Sequence, residues 1–268
     1  MMHGSLPAPT GRPAPACAQA AARGGRFAWL LLSSFLGVAA CGGTDVGNGA
    51  AAVEVDVRGY APASQARSLT GADGWRVDEL WMAVDGLRLR AGTVCDDGAD
   101  VGIDVAGPFV SDLVGTGVLG GPVRFDALPG SFCELRITFH KLAAGEGAPG
   151  TPPGLTDLSV LVTGARADGA AFTVKSAMTE EFRLENGLGY FELPAGPDPL
   201  LLAFNLDPWL AALDLDSLGA GPIEVSDVVN PDRLQLFEEA VKDSAALLRD
   251  LNGDGEVDTD DVGNEIAH

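Results

Sequence analysis

Positively charged residues are scarce in this chain of 268 residues. Lysine and arginine together number 17, against 38 aspartate and glutamate residues, which gives a formal net charge of −21. A surface this negative repels the phosphate backbone of nucleic acids and attracts cations. The composition therefore excludes a nucleic-acid-binding protein, and it favours solubility and the accumulation of divalent ions.

Histidine is rarer still, with 3 residues in the chain. No CxxC, HExxH, GxSxG or Walker pattern occurs, so no local motif marks a catalytic or zinc site. Gly115 to Gly120 fits the letters of GxGxxG. However, Gly121-Pro122 follows where a dinucleotide-binding fold needs a helix, so we predict a loop there. We expect a protein that is not an enzyme, although a secreted hydrolase that uses acidic residues remains an alternative.

Long hydrophobic runs are absent apart from one, which extends from Phe27 to Ala39. This run is too short for a stable membrane span. The segment before it carries only three charged residues, Arg12, Arg23 and Arg26, and the run ends in small residues followed by Cys41. The order of basic, apolar and small residues is that of a secretory signal. We therefore predict an exported protein.

The end of this run, Val38-Ala39-Ala40-Cys41, resembles the lipobox of bacterial lipoproteins. The resemblance implies that residues 1–40 are a removed signal peptide and that Cys41 carries a lipid anchor in the membrane of the cell envelope. Gly42 follows instead of aspartate, which in enterobacterial lipoproteins favours the outer membrane. An ordinary signal peptide or an uncleaved anchor is the alternative. Residues 41–52 are rich in Gly, Ala and Asn, and we expect a flexible tether there.

Two cysteines remain for the folded part, Cys95 and Cys133. In an oxidising compartment such a pair is expected to form a disulfide. A metal or redox pair is the alternative, but neither CxxC spacing nor a histidine cluster supports it. The alternation of the strand from Cys133 to His140 places Cys133 on the inward face, and it places Glu134 on the outward face.

Short β patterns separated by turn signals dominate the rest of the chain. Val53 to Arg58 alternates apolar and charged residues, as a half-buried strand does. Asp168-Gly169 and Asn186-Gly187 each predict a hairpin between two β-rich runs. The succession of short strands predicts a mainly β protein, with an antiparallel β-sandwich over residues 53–229.

Three features of the chain resemble an uncharacterised family of bacterial surface lipoproteins. They are the run from Trp81 to Leu89, the turn Leu128-Pro129-Gly130 and the hairpin at Asp168-Gly169. Members of that family have prealbumin-like (transthyretin-like) sandwiches, and the resemblance implies this fold for residues 53–229. It implies no catalytic residues. We therefore expect a monomer with a structural or ligand-binding role, and a protein or carbohydrate as its ligand.

The last segment, residues 230–268, is predicted to hold a helix and a calcium-binding loop. Asn230-Pro231 has the residue types of an N-cap and a first helical residue, and apolar residues at helical spacing extend this helix to Leu248. The helix leads into Asp250 to Asp261, which matches the calcium loop of EF-hands at positions one, three, five, six and twelve.

Six residues of this loop are predicted to bind Ca²⁺: Asp250, Asn252, Asp254, Glu256, Asp258 and Asp261. Gly255 allows the sharp turn at position six, and Val257 is expected to pack against the core. Asp261 replaces the usual glutamate, as in the paired dockerin repeats, which makes bidentate binding less certain. A lone loop of this kind binds in the weak range of about 10⁻⁴–10⁻³ M. A solvated acidic tail and a calcium-dependent adhesion or docking module are the alternatives.

Overall fold

The computed structural model describes residues 49–61, 74–95 and 101–268. The predicted signal peptide, Cys41 and most of the predicted tether lie outside the described residues. The described chain is mainly β and forms two sheets with few helices.

Fourteen strands are formed by the described residues, and they are numbered here in chain order. The strands are β1 (Ala51–Tyr60), β2 (Arg76–Ala91), β3 (Gly102–Asp112), β4 (Gly117–Val118), β5 (Val123–Ala127), β6 (Gly130–Phe139), β7 (Val160–Ala165), β8 (Ala171–Ser176), β9 (Glu181–Glu185), β10 (Phe191–Leu193), β11 (Gly196–Asn205), β12 (Ile223–Val225), β13 (Ala245–Arg249) and β14 (Glu265–Ala267). The helices are α1 (Leu206–Leu213), α2 (Pro231–Asp243) and α3 (Thr259–Val262), with short 3-10 turns at Pro153–Leu155 and Leu215–Leu218.

One sheet has five strands in the order β14-β13-β11-β1-β5. The other has nine strands, with the path β10-β6-β2-β7-β8-β12, β3 paired to β2 and β4, and β9 paired to β6. Most pairs are antiparallel, but β1 runs parallel to β11 and β12 runs parallel to β8. The prediction of a purely antiparallel sandwich is therefore wrong for these two pairs. Both join strands far apart in sequence, and local turn signals carry no information about such pairs.

The two predicted hairpins have different outcomes. The hairpin at Asp168-Gly169 is confirmed, because β7 and β8 pair directly across it. The prediction of a hairpin at Asn186-Gly187 is wrong, because β9 and β10 do not pair with each other. Each of them pairs antiparallel with β6. The two strands therefore follow one another along the same edge of the nine-stranded sheet.

The main core lies between the sheets and is built by alternating residues. On β1, Val53, Val55 and Val57 are all buried in it, and each such side chain contributes roughly 1.5–3 kcal/mol relative to an exposed position. Aromatic rings continue the core from the sheets towards the helices. Successive ring contacts with centroids 5.2–6.2 Å apart join Phe139, Phe182, Phe204, Trp209 and Phe237.

The predicted disulfide between Cys95 and Cys133 is confirmed, with Cα atoms 5.4 Å apart. It ties the chain just after β2 to β6, where Cys133 is buried as expected. The neighbouring prediction for Glu134 is wrong. Its side chain is completely buried, and its carboxylate forms ion pairs with Arg90, at 3.2 Å, and with Arg136. Alternation holds from Leu135 to Phe139, but the pairing with β2 shifts register between Glu134 and Phe132, and Phe132 also lies in the main core. Alternation also does not report what covers the outer face.

The helix predicted to extend to Leu248 ends at Asp243, and residues 245–249 form β13 instead. The apolar residues after the helix alternate between two environments. Ala245 and Leu247 point into the main core, whereas Ala246 and Leu248 belong to a cluster on the opposite face of the five-stranded sheet. A strand buried on both faces has a continuous apolar sequence, which helical spacing can fit by coincidence.

Candidate calcium site

The predicted calcium loop connects β13 to α3. Asp250 follows β13 directly, and its backbone amide donates a hydrogen bond to Pro199 O on the neighbouring strand, at 3.0 Å. The loop therefore has a strand on its entering side where an EF-hand has a helix. Its exit is a single helical turn, with Asp258 as N-cap residue.

The first half of the loop is folded around the Asp250 carboxylate. Its Oδ1 accepts a hydrogen bond from Gly253 N at 2.6 Å, and its Oδ2 accepts one from Gly255 N at 2.9 Å. Both glycines have a φ near +70°, a conformation that glycine adopts without steric cost. Asp250 is buried, and the turn expected at Gly255 is present.

The next predicted ligands lie close together at the outer side of the loop. The Asn252 amide group donates to Asp254 Oδ2 at 3.1 Å and to Asp258 Oδ2 at 3.2 Å. Asn252 Oδ1 accepts from the backbone of Asp254, and Asp254 Oδ1 accepts from the backbone of Glu256. Polar side chains at alternate positions are thus oriented by the backbone that follows each of them.

Asp261, at position twelve of the loop, is fully buried. Its Oδ1 accepts from Leu251 N at 3.0 Å, and its Oδ2 accepts from Asp258 N at 3.1 Å. Burial raises the pKa of the Asp261 carboxyl above its ordinary value. The two backbone hydrogen bonds oppose this rise, whereas the charges of Asp258 and Asp250 add to it. A bound cation would relieve the same electrostatic cost.

The loop folds back over the outer face of the five-stranded sheet. Val257, at position eight, packs there as predicted, against a small apolar cluster. The buried members of this cluster are Leu201, Ala203, Ala246 and Leu248. Leu251, at position two of the loop, is by contrast 55% exposed, and Val262, directly after the loop, is 41% exposed.

Sequence reasoning missed a charged pair beneath the loop. Asp56 and Arg58 lie on the outer face of β1, and a Cβ at Gly255 would lie 3.4 Å from Arg58 Nη2 and 3.6 Å from Asp56 Oδ2. Arg58 Nε donates to Asp56 Oδ2 at 3.0 Å, and Arg58 Nη1 donates to Gly115 O at 2.7 Å. Asp56 Oδ1 accepts from Val118 N at 2.9 Å. Asp56 and Arg58, which alternation assigns to solvent, therefore hydrogen-bond to the segment around β4 and lie beside the calcium loop.

The glycine-rich motif at residues 115–120 opens no helix, but it is not wholly the predicted loop, because Gly117 and Val118 form β4 and pair with β3. Backbone amides in and beside this motif bind carboxylates of the chain itself. Backbone amides of residues 114–116 donate to the Asp112 carboxylate. Burial raises the pKa of Asp112, although these hydrogen bonds and the charge of Arg58 oppose the rise. The amides that hold phosphate in a dinucleotide-binding loop are thus used internally here.

The donor types in the calcium loop are those that Ca²⁺ prefers, namely carboxylate, amide and carbonyl oxygens. Glu256 has an exposed side chain, and its predicted contribution is its backbone carbonyl. Among the residues that the structure describes, no three His, Cys, Asp or Glu side chains form a group arranged to hold a metal ion. Each carboxylate oxygen that already accepts from a backbone amide retains a second lone pair for a cation.

Cavities on the described part of the chain include one of about 410 Å³ and one of about 220 Å³. The larger lies between β3 and β5, and its lining is apolar and glycine-rich apart from Arg124. The smaller lies beside the end of α1. Two carboxylates line it, those of Asp214 and Asp216, and Asp214 is paired with Arg233 at 2.9 Å.

Comparisons with protein-family models, with curated proteins and with solved structures found no match to this chain. Within the described ranges, no helix has the length and apolar character needed to cross a membrane.

Proposed function

We propose that this protein is a lipid-anchored protein of the cell envelope, a non-enzymatic β-sandwich that binds one Ca²⁺ and serves a structural or ligand-binding role. We further propose that the sandwich is prealbumin-like, that it is monomeric and that Cys41 anchors it in the outer membrane. The observation that carries the proposal is the loop from Asp250 to Asp261, in which residues of the EF-hand pattern are brought together by hydrogen bonds.

The calcium part of the proposal rests on charge as well as spacing. The side-chain amide of Asn252 donates hydrogen bonds to the carboxylates of Asp254 and Asp258. These two negative charges therefore share one neutral donor group. A divalent cation would compensate both charges more strongly than an amide does. Asp250, Asn252, Asp254 and Asp261 would supply side-chain oxygens to it. Asp258 would bind it through a water molecule, and Glu256 would supply its backbone carbonyl. Bound Ca²⁺ would thereby fix the loop that joins β13 to α3.

The anchoring part of the proposal rests on the sequence before β1. This strand begins at Ala51, only ten positions after Cys41. Ten residues span at most about 35 Å when fully extended. An anchored Cys41 would hold the sandwich close to the bilayer surface, with the acidic chain facing the cations that collect there.

A calcium-dependent docking module is the second candidate. Leu251, within the loop, and Val262, directly after it, favour this candidate, because both apolar side chains are exposed. A cation that fixes the loop would also fix the positions of these two side chains. Docking would then require Ca²⁺, because the bound ion orders the loop that positions both side chains.

Thermal unfolding with and without calcium tests the proposed site. At about 10 mM Ca²⁺ and a Kd of about 10⁻³ M, binding to the folded state adds about 1.4 kcal/mol. For a domain of this size, the midpoint should rise by about 3–6 °C. Asp250→Ala should abolish the rise, whereas Asp126→Asn, at an exposed position on β5, should retain it. An equal rise in both variants would mean diffuse binding to the acidic surface.

Mass spectrometry of the protein from its native membrane tests the anchor separately. The first residue of the mature chain should be Cys41 with fatty acyl chains attached. A mature terminus without lipid would contradict anchoring, and it would leave the calcium site unaffected.

A further inference from the structure

The exposed apolar side chains of the described residues are unevenly distributed. Ten large apolar side chains are exposed on this part of the chain, and five of them lie in three connections between strands. These are the β2–β3, β5–β6 and β9–β10 connections. The five side chains, called the apolar tip below, are Val94, Val101, Leu128, Leu188 and Tyr190, and they are 39–87% exposed.

The three connections meet at one end of the sandwich. Gly92 N, directly after β2, donates to Ser131 O at the start of β6, at 2.9 Å. A Cβ at Gly189, in the β9–β10 connection, would lie 3.7 Å from Thr93 O. The members of the apolar tip therefore belong to neighbouring connections. Apolar side chains that are grouped in this way mark an interaction surface, whereas single exposed ones are normal.

The backbone that carries the apolar tip is held in place by contacts within the chain. The disulfide between Cys95 and Cys133 ties the β2–β3 connection to β6. In the β9–β10 connection, Asn186 Oδ1 accepts from Leu188 N at 2.7 Å, and Asn186 Nδ2 donates to Ile266 O at 2.6 Å. These apolar side chains therefore extend into solvent from backbone that is fixed to the sheets.

The chain that leads to the proposed anchor enters the sandwich at the same end. β1 begins at Ala51, which pairs with Ala127, the residue before Leu128. The ten positions from Cys41 to Ala51 span at most about 35 Å, and the ten residues of β1 extend about 33 Å. The far end of β1 would reach the membrane only if the tether were fully extended along the whole strand. Attachment at Cys41, or through an uncleaved run at 27–39, therefore favours contact between the apolar tip and the membrane.

The residues at this end also indicate the kind of lipid surface. Asp126 and Glu192 are exposed beside the apolar tip, and the sequence has three aspartates between Cys95 and Val101. Negative charge of this density is repelled by anionic headgroups, so a zwitterionic surface is the better partner. Tyr190 is a residue type that is enriched at the level of the headgroups, because its ring is apolar and its hydroxyl is polar.

We propose that the apolar tip docks onto the bilayer that anchors the chain. Its side chains enter the headgroup region of a zwitterionic membrane, and the sandwich stands with the beginning of β1 towards that membrane. Docking of this kind fixes the orientation of the sandwich, which a flexible tether alone leaves free. The inference deepens the proposed anchoring to a membrane and rests on it.

An NMR measurement on the tethered protein tests this inference. The mature chain, residues 41–268, holds every described residue, and Cys41 is its single cysteine outside the disulfide. Cys41 of the ¹⁵N-labelled chain is coupled to a maleimide lipid in phosphatidylcholine nanodiscs. A small fraction of lipid with a gadolinium chelate on its headgroup then broadens the amide signals that lie near the bilayer.

The amides of Leu128 and Leu188 should be broadened at least about tenfold more than those of Val228 and Leu236. The reason is that the broadening falls with the sixth power of distance, and a domain of this size has a radius of gyration of about 17 Å. Val228 and Leu236 are also exposed, but they lie outside the apolar tip. Val228 follows β12, at the opposite end of the strand path from β10.

Two matched pairs of substitutions separate docking from simple tethering. Leu128→Ser combined with Leu188→Ser should make the broadening nearly equal at all four positions. Val228→Ser combined with Leu236→Ser should leave the tenfold difference unchanged. Both pairs replace exposed side chains, so both variants are expected to fold normally. Replacing about one third of the phosphatidylcholine by phosphatidylglycerol should reduce the difference in the wild type.

Several results would overturn the inference. Equal broadening at the four amides of the wild type would mean that the sandwich moves freely on its tether. A difference that persists in the Leu128/Leu188 variant, or that grows with phosphatidylglycerol, would contradict apolar docking onto a zwitterionic surface. A dimer in sedimentation experiments without lipid, lost only in that variant, would assign the apolar tip to a second copy of the chain.

Failure of the proposed anchor can be distinguished from failure of docking. The lipid in this experiment is attached chemically, so the result does not depend on natural acylation. Mass spectrometry of the protein from its native membrane reports on Cys41 alone. Each of the two proposals can therefore fail while the other succeeds.

Discussion

The glycine-rich motif at residues 115–120 provides a sharp test of how the Asp56–Arg58 pair is packed. Two of its glycines share a similar backbone conformation but differ in the space around the Cα atom. Gly117 and Gly120 both have positive φ values, +74° and +90°. A Cβ at Gly117 would lie 2.4 Å from Asp56 Oδ1 and 2.8 Å from Arg58 Cζ, whereas a Cβ at Gly120 would have no heavy atom within 4 Å. Alanine at Gly120 therefore carries the backbone cost alone, and alanine at Gly117 adds a steric conflict.

The expected magnitudes follow from these contacts. A left-handed backbone costs a non-glycine residue about 1–2 kcal/mol, and this term applies at both positions. Relieving the conflict at Gly117 also displaces the Asp56 carboxylate from Val118 N, 2.9 Å away, and disturbing the hydrogen bond of a buried group costs about 1–3 kcal/mol. We expect Gly117→Ala to lower the free energy of unfolding by about 3 kcal/mol and Gly120→Ala by about 1 kcal/mol.

Urea unfolding of the two variants and the wild type measures this difference directly. The slope with denaturant should be the same in all three, since the surface exposed on unfolding does not change. Equal losses at Gly117 and Gly120 would refute the packing described here for Asp56 and Arg58. A larger loss at Gly120 would refute it as well.

Two further predictions concern the disulfide and an ion pair. Replacing both Cys95 and Cys133 by alanine opens a loop of 38 positions, and we expect a loss of about 4 kcal/mol by urea unfolding; an unchanged midpoint would contradict the role of this bond. The hydrogen bond with His140 lowers the pKa of Glu146 from its ordinary value of 4.5. The ionised Glu146 side chain therefore stabilises the fold above pH 4.5, and this stabilisation is lost as the pH falls through the lowered pKa. Thermal midpoints from about pH 6 to about pH 3 should therefore show that Glu146→Gln lowers stability most at the higher pH. The matched change Glu79→Gln, at an exposed position on β2, should give no such trend, and a trend of equal size there would contradict the assignment.

Local pattern was sufficient for much of the fold. Alternation correctly identifies β1 and β6, because one face of each strand meets the main core. The burial of Cys133 follows from the same pattern, whereas its disulfide with Cys95 was predicted from the number of cysteines and the oxidising compartment. The parallel pairing of β1 with β11 could not be predicted, since it joins strands about 145 positions apart with no shared turn.

Only part of the structure around the calcium loop could be predicted, again because local sequence carries no information about contacts between distant segments. The spacing of acidic residues and glycine predicts the turn of the calcium loop, because the hydrogen bonds of Asp250 and Asn252 are made to backbone only a few residues ahead. The packing of this loop against Asp56 and Arg58 is a contact between distant segments. The burial of Glu134 likewise depends on what covers the sheet, and that information is absent from the strand's own alternation.

The central claim is that the loop from Asp250 to Asp261 binds one Ca²⁺, and an NMR titration of the ¹⁵N-labelled protein tests it most directly. The amides of Gly253 and Gly255 donate to the Asp250 carboxylate, so both should report a change at that group. We expect saturable shifts of these two signals at one ion per chain, with a midpoint of about 10⁻⁴–10⁻³ M. Small shifts that never saturate and are spread over exposed acidic residues throughout the chain would contradict the claim.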